Sequence, residues 1–336
     1  VSASTTNEPA ARPIAAPVVR PTLGFAMVLG AAALFGMLGP LARFAYDAGM
    51  EPPAFVAWRA LIGLAGLLLY VAWRVRRSAT RLVRLGALSR RARGSLLLAA
   101  LMGFTLNLGM FLSFDRITIA LALLGFYTYP AMVAIANAAL GRERLDQTRI
   151  LALGLALCGM VAVIASQLDP AAGIRFDAIG IGLALGAAVS QTVFVVVSRD
   201  GYREVPTEQA MTVVLLVTVL GGGLLAVASG AGTTLAYPLT SPSVLPLLLF
   251  TGIFAAAIPS LGFLAGIRSI GGTRAGILML FEPVVGVALA AWLLGEVLTP
   301  IQVVGAAAIL GAAVLLERGA REEPGATPPV VIPGGP

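Results

Sequence analysis

Leu280-Phe281-Glu282-Pro283, continued through an apolar run to Gly295-Glu296, puts a carboxylate, a proline and a second glutamate into one hydrophobic segment. Thirteen residues separate Pro283 from Glu296, and the same spacing recurs upstream, where Pro130 precedes Glu143 in Tyr129-Pro130…Leu140-Gly141-Arg142-Glu143. Further pairs repeat alongside. Leu29-Gly30-Ala31-Ala32 returns as Leu185-Gly186-Ala187-Ala188, and each glycine is followed thirteen residues on by an arginine, Arg43 or Arg199. Pro53 matches Pro206 at an offset of 153, the offset that also relates Pro130 to Pro283. The chain reads as a duplication.

Only 12% of the residues are charged against 58% hydrophobic, and the mean hydropathy is +0.93. A soluble domain is nearer about a quarter charged, so these values indicate an integral membrane protein. Apolar runs of about 20 residues, each able to cross a hydrocarbon core of roughly 30 Å, recur throughout. Strands alternating apolar and polar residues are absent, which argues for helices and against a barrel. The spans expected are 23–45, 53–73, 95–114, 118–140, 148–166, 178–198, 208–229, 243–264, 274–294 and 301–317. The fold class is therefore all-α integral membrane, with ten transmembrane helices.

Arginine placement sets the orientation. With the amino terminus inside, nineteen arginines fall in cytoplasmic segments, eight of them between Arg74 and Arg93. Outer loops hold Arg43, Arg116 and Arg175, and Arg59 lies within a span. That asymmetry follows the positive-inside rule and puts both termini in the cytoplasm. The net charge of +7 reflects this topology and not nucleic-acid binding. Residues 1–20 and 318–336 are read as disordered cytoplasmic tails, the first being too polar for a span and lacking the apolar core of a signal peptide. Five spans in each half, over 21–166 and 167–317, require the repeats to insert with opposite orientation. Glu143 then falls in a cytoplasmic loop and Glu296 in an external one. Inverted repeats of this kind recur in secondary transporters, with the substrate site near the midplane.

Tyr129-Pro130-Ala131…Leu140-Gly141-Arg142-Glu143-Arg144-Leu145 and Phe281-Glu282-Pro283…Leu294-Gly295-Glu296-Val297-Leu298 resemble the paired signatures of the EamA type, a branch of the drug/metabolite transporter superfamily. Trp58-Arg59 is similar to the arginine often found in the second span there. The resemblance extends over about residues 23–317. It implies a ten-helix basket whose central cavity is enclosed by the first, third, fourth, sixth, eighth and ninth helices. One departure stands out: Tyr129 occupies the position that Glu282 takes in the second repeat, so one half alone supplies the intramembrane carboxylate.

Several residues carry candidate chemistry. A mid-helix proline lacks an N–H and displaces the carbonyl four residues earlier, so Pro130 and Pro283 are expected to free the carbonyls of Phe126 and Met279. Such kinks should face protein or a wet cavity, serving gating or binding, or bending the helix for packing. Glu282 lies roughly 12 Å into the ninth span at 1.5 Å per residue. A charge at that depth costs at least about 2.5 kcal/mol, so the residue should face the interior. It is either a cation- or proton-binding group or a structural carboxylate paired with Arg59 or a backbone group. Arg59 could bind a substrate carboxylate, form a salt bridge or snorkel to the interface. Asn107, Phe126, Tyr127, Tyr129 and Gln191 form a softer set, able to hydrogen-bond a solute or hold its apolar part, or alternatively to bond between helices. On a continuous helix Tyr127 and Tyr129 would point about 200° apart. Glu143 and Glu296 are expected to cap the helix that follows each of them. Gly182-xxx-Gly186 and Gly221-Gly222-Gly223 are expected to let helices approach closely.

Enzymatic readings fare poorly. Histidine and lysine are both absent, which excludes H-E-x-x-H zinc chemistry, serine–histidine catalysis and a lysine-bearing phosphate loop. Every aspartate lies in or beside a loop, so a facing aspartate pair is not available either. Cys158 sits alone in an apolar helix as an inert small residue, and neither metal nor cofactor is expected. The reading is a secondary transporter of the bacterial inner membrane that exports a small organic metabolite by alternating access. Amino acids or their derivatives lead as substrates, with amphipathic cationic drugs second and a non-transporting scaffold or sensor subunit as the alternative. Expected partners are the solute and the lipid bilayer, with protons and a second copy in a homodimer as further candidates.

Overall fold

The computed structural model describes residues 21–143, 145–166, 175–230, 232–294 and 298–322. Among these, ten helices are long and apolar enough to cross a membrane. They are α1 Thr22–Asp47, α2 Pro52–Arg76, α3 Arg90–Arg116, α4 Ile119–Ala139, α5 Gln147–Ala165, α6 Ala178–Asp200, α7 Thr207–Ala228, α8 Pro242–Ile270, α9 Gly272–Leu289 and α10 Pro300–Gly319. The described residues contain no strand. Glu296 and residues 1–20 lie outside the described residues.

Where helices outrun the expected spans, charge is the reason. α3 begins at Arg90, with Ser89 capping it by accepting from the Ala92 N–H at 3.1 Å. The last helix continues past residue 317 to Glu322. Arginine and glutamate lower hydropathy but are good helix formers, so the backbone stays helical where the apolar run has stopped. Other starts carry their own caps. Asp146 accepts from the Arg149 N–H at 2.7 Å and Asp177 from the Ile179 N–H at 2.9 Å. Thr299 and Gln302 exchange backbone-to-side-chain bonds at 2.9 and 3.4 Å, a capping box at the head of α10.

The main packing partners join one helix of each half: α3 with α6, α1 with α8, α2 with α7 and α5 with α10. Exchanging the halves, α1 for α6 and so on, maps this set onto itself. The α5–α10 crossing is close because Gly159 and Gly305 meet there. A Cβ on Gly159 would stand 2.5 Å from the Gly305 carbonyl oxygen. The other small-residue motif behaves differently: Gly182 and Gly186 are exposed on α6 with nothing nearby, so they face outward and mediate no packing. Of the triple glycine, Gly221 and Gly222 do pack, against Phe104 and Ala57.

Contacts fix which helix ends lie together. At the Asp177 end of α6, Arg116 pairs with Asp177 at 2.9 Å and the Ser113 hydroxyl donates to the Gly180 carbonyl at 2.9 Å. The Arg116 guanidinium, with the Ile179 N–H, holds the Asp177 carboxyl below the usual carboxylate range. At the Arg199 end, Arg268 of α8 donates to the Val205 carbonyl at 2.8 Å and to the Tyr202 carbonyl at 3.3 Å.

Two spans are broken at equivalent points. α4 turns at Tyr127-Thr128 and α9 at Leu280-Phe281, again 153 residues apart. This corrects the expectation of mid-helix kinks. Pro130 and Pro283 are each the second residue of a new helical segment, Tyr129–Ala139 and Glu282–Leu294. The first turn of a helix asks for no N–H from that position, so proline starts the segment without leaving a hole in its ladder. Tight bonds carry the chain across each break, from Thr128 N to Gly125 O at 3.4 Å and from Phe281 N to Leu278 O at 3.1 Å.

Candidate functional site

A cavity of about 690 Å³ lies between the halves, within the range that holds small organic ligands. All six helices implied by the family resemblance contribute to its wall, and α7 and α10 add Met211, Val214 and Gln302. It runs from the middle of the bundle to the Asp177 end, where it reaches Phe114, Ser166 and Thr299.

The break in α4 shapes the wall. Because the helix turns at Tyr127-Thr128, Tyr127 and Tyr129 do not diverge as they would on a continuous helix. Both line the cavity, their ring centroids 6.5 Å apart, with Phe126 at 5.5 and 5.1 Å from them. Both phenols are fully buried. Tyr127 faces Glu282 and Tyr129 faces Gln191. Neither hydroxyl reaches hydrogen-bond geometry with a protein partner among the described residues.

Glu282 stands at the matching break, as the first residue of the second segment of α9. It is half-buried and belongs to the cavity wall beside Pro283 and Met279. It forms no ion pair among the described residues, so the pairing with Arg59 considered from the sequence is not present. Pro283 lines the cavity, whereas Pro130 packs behind it against Gly276.

Arg59 does not snorkel: it is 4% exposed and makes no salt bridge among the described residues. Its Nη1 donates to the Ala255 carbonyl at 2.7 Å, its Nη2 donates to Asn107 Oδ1, and the guanidinium lies 4.9 Å from the Phe111 ring centre. Ala255 falls in the Ile253–Ala257 segment of α8, which winds as a π-helix. A π-turn misaligns part of the α-helical ladder and makes a carbonyl available, which suits a buried guanidinium. Asn107 has its other end engaged too, Nδ2 donating to the Gly103 carbonyl at 2.7 Å. Asn107 and Phe111 line the cavity while Arg59 lies behind them. Asn107 is therefore first a bracket for Arg59, and Arg59 joins α2, α3 and α8.

The Arg199 end is closed by a contact that the sequence did not indicate. Glu143 accepts from the backbone N–H groups of Gly272 at 3.0 Å and Thr273 at 3.3 Å, and pairs with Arg199. It caps α9, in the other half of the chain, and not α5, whose start Asp146 already serves. Gly271 permits this approach. Its φ of +90° suits glycine, and a Cβ there would stand 2.9 Å from Glu143 Oε1. Arg142 donates to the Val196 carbonyl at 2.7 Å alongside. Arg199 did appear in the sequence repeat, but only as a topology marker. Phe111, Phe194 and Phe263 of the cavity wall carried no signal beyond their apolar character. Among the described residues no three His, Cys, Asp or Glu side chains come together in a way that could hold a metal.

A family model described as the EamA-like transporter family matches residues 22–165 and 178–318, one copy in each half. No match is found among curated proteins. A protein of known crystal structure shares the fold with a TM-score of 0.71 at 20% identity, over 90% of this chain and 100% of that one.

Proposed function

The chain belongs to the EamA-like transporter family of the drug/metabolite transporter superfamily, and on that premise we propose a multi-pass secondary transporter that carries a small organic metabolite by alternating access. The observation that carries this reading is the position of the cavity. It lies between the repeats, meets the breaks in α4 and α9 and the half-buried Glu282, and is closed at the Arg199 end where Glu143 caps α9. α4 and α9, equivalent in the repeat, meet with the end of one at the start of the other through Glu143 and Gly272. That supports repeats of opposite orientation, in which two such states could exchange.

The arginine distribution assigns the Arg199 end to the cytoplasm, so the arrangement described is outward-facing. Passage inward then requires Glu143 to release the start of α9 while the Asp177 end closes. The short segment Gly272–Met279 links this contact to the break before Glu282, so events at the carboxylate and at the cap act on one rigid piece. The bacterial inner membrane and an outward direction of net transport come from family resemblance, as do amino acids or their derivatives as leading solutes. An amino group would seat at Glu282, and exchange of the solute for a proton at that carboxylate would couple the two.

The test is a flux screen in proteoliposomes over amino acids, their derivatives, amines and amphipathic cations. Saturable movement of one class supports the proposal. No movement of any solute, with correctly folded protein, would instead favour a scaffold or sensor subunit.

A further inference from the structure

We propose that the loop joining α2 to α3, residues 77–89 with the helix ends beside it, is a docking surface for anionic phospholipid headgroups. Eight arginines and no acidic residue fall between positions 74 and 93. Outside that stretch 15 of the 23 arginines remain against 16 acidic residues, so this one loop accounts for the whole net charge of +7. Arg74 pairs with Glu208 at 3.7 Å, and Arg93 donates to the Leu88 carbonyl at 3.2 Å. The other six, Arg76, Arg77, Arg81, Arg84, Arg90 and Arg91, are exposed and make no ion pair among the described residues. The terminal segments hold no surplus of anions to cover them. Residues 1–20 contain Glu8 with Arg12 and Arg20, and residues 318–336 contain Glu322 and Glu323 with Arg318 and Arg321.

Orientation in the bilayer asks only for cations on one side of it, whereas this loop also holds them in place. Val83 exchanges two bonds with the Gln209 side chain of α7, its N–H donating at 2.9 Å and its carbonyl accepting at 2.7 Å. Arg74 Nε donates to Thr80 Oγ1 at 3.0 Å, and that hydroxyl donates to Glu208. With Val83 pinned, Leu82 and Leu85 stay exposed between the unpaired arginines. Trp73, exposed in the last turn of α2, stacks on Tyr70 with ring centroids 6.1 Å apart and lies 5.3 Å from the Arg77 guanidinium. Tryptophan and tyrosine settle at headgroup depth, which brings Arg76 and Arg77 level with lipid phosphates. A guanidinium fork can hold a phosphate through two N–H groups, and leucines beside it gain by entering the interface. Clustered arginines next to a span are what an anionic leaflet attracts. Ser95 of α3 abuts Gly201 after α6, so the loop lies at the Arg199 end. On the orientation proposed above it meets the cytoplasmic leaflet.

The test uses the full-length chain carrying Leu85→Cys and Cys158→Ser, labelled at the new position with a fluorophore and reconstituted in phosphatidylcholine bilayers. Phosphatidylglycerol or phosphatidylcholine, each bearing the same nitroxide near its headgroup, is added at equal mole fraction, and quenching is read. Phosphatidylglycerol is expected to quench roughly fivefold more strongly at low ionic strength, an enrichment that the attraction of even one arginine supports. Salt should lower the ratio, because exposed charges are screened beyond about 10 Å in moderate salt. Replacing Arg81, Arg84, Arg90 and Arg91 with glutamine should bring the two lipids level. The comparison with all eight arginines intact needs no such variant, so it stands even if the substituted chain fails to insert. Equal quenching by the two lipids would overturn the proposal and leave the loop to topology or to a soluble acidic partner. An excess for phosphatidylglycerol that survives the four substitutions would overturn it too, placing the lipid on another surface. Neither result bears on transport, which the flux screen decides.

Discussion

Glu143 Oε1 accepts the backbone N–H of Gly272 at 3.0 Å across 129 residues of chain, so the loop after α4 caps the first turn of α9. Its second oxygen takes the Thr273 N–H, and Arg199 balances the charge. A carboxylate at a helix start meets exposed N–H groups and the positive end of the dipole, and bonds to a charged acceptor are worth about 1.5–3 kcal/mol. Glu143 thus holds the start of α9 at the Arg199 end, beside the Arg142 and Arg268 contacts there. Replacing Glu143 with Ala should open that end. In a Cys158→Ser background, a cysteine at Val195, which packs beside Gly272, should react with a water-soluble maleimide roughly tenfold faster once Glu143 is lost. Unchanged labelling would mean that other contacts hold the end closed.

Gly271→Ala should reproduce much of that phenotype from the other partner. The backbone there has φ +90° and ψ 161°, a region essentially reserved for glycine, and the added methyl meets Glu143 Oε1 at 2.9 Å. Stability is expected to fall by about 1–3 kcal/mol, read as a lower Tm in detergent. The double variant with Glu143→Ala should lose less than the sum of the two.

Arg59 is predicted to matter for stability first. Arg59→Ala leaves the Ala255 carbonyl and the Asn107 oxygen without their donor in a buried place, at a cost of about 3 kcal/mol or more. Arg59→Lys should rescue little, since an ammonium cannot reproduce the planar fork that serves both acceptors. A variant that keeps its Tm but loses solute binding would contradict this and return Arg59 to the ligand site.

Tyr127→Phe and Tyr129→Phe should separate stability from binding. Neither hydroxyl has a protein hydrogen bond to lose, so Tm should stay within the small change of a surface substitution, about 0.5 kcal/mol. Solute affinity should fall by roughly threefold to tenfold if each phenol serves the bound molecule. Stability loss without a change in binding would make them packing groups.

Much of this architecture was legible from periodicity alone. Desolvation decides where a chain crosses a membrane, and desolvation is what hydropathy measures, so the ten spans and the repeat emerged without coordinates. Glu282 stood out for the same reason, as a charge where water is absent. Three features did not emerge, because each depends on what lies across the bundle. Pro130 and Pro283 look like interior kinks in the sequence, since nothing local distinguishes a kink from a fresh start after a two-residue break. That break also undid the angular argument that separated Tyr127 from Tyr129. Glu143 was assigned to the next helix in sequence, whereas Asp146 is nearer that helix and Gly271 brings α9 within reach. Ile253–Ala257 reads as an ordinary apolar stretch, and its π-winding becomes meaningful only with Arg59 opposite.

In the proposed transport cycle Glu282 is the group through which solute and protons meet. The direct measurement is flux into proteoliposomes under imposed pH gradients, comparing the native chain with Glu282→Gln and Glu282→Asp. Expected are pH-driven flux in the native protein, flux that no longer responds to the gradient in Glu282→Gln, and partial recovery in Glu282→Asp. Flux that follows the gradient equally well in Glu282→Gln would contradict it and make the carboxylate a structural group.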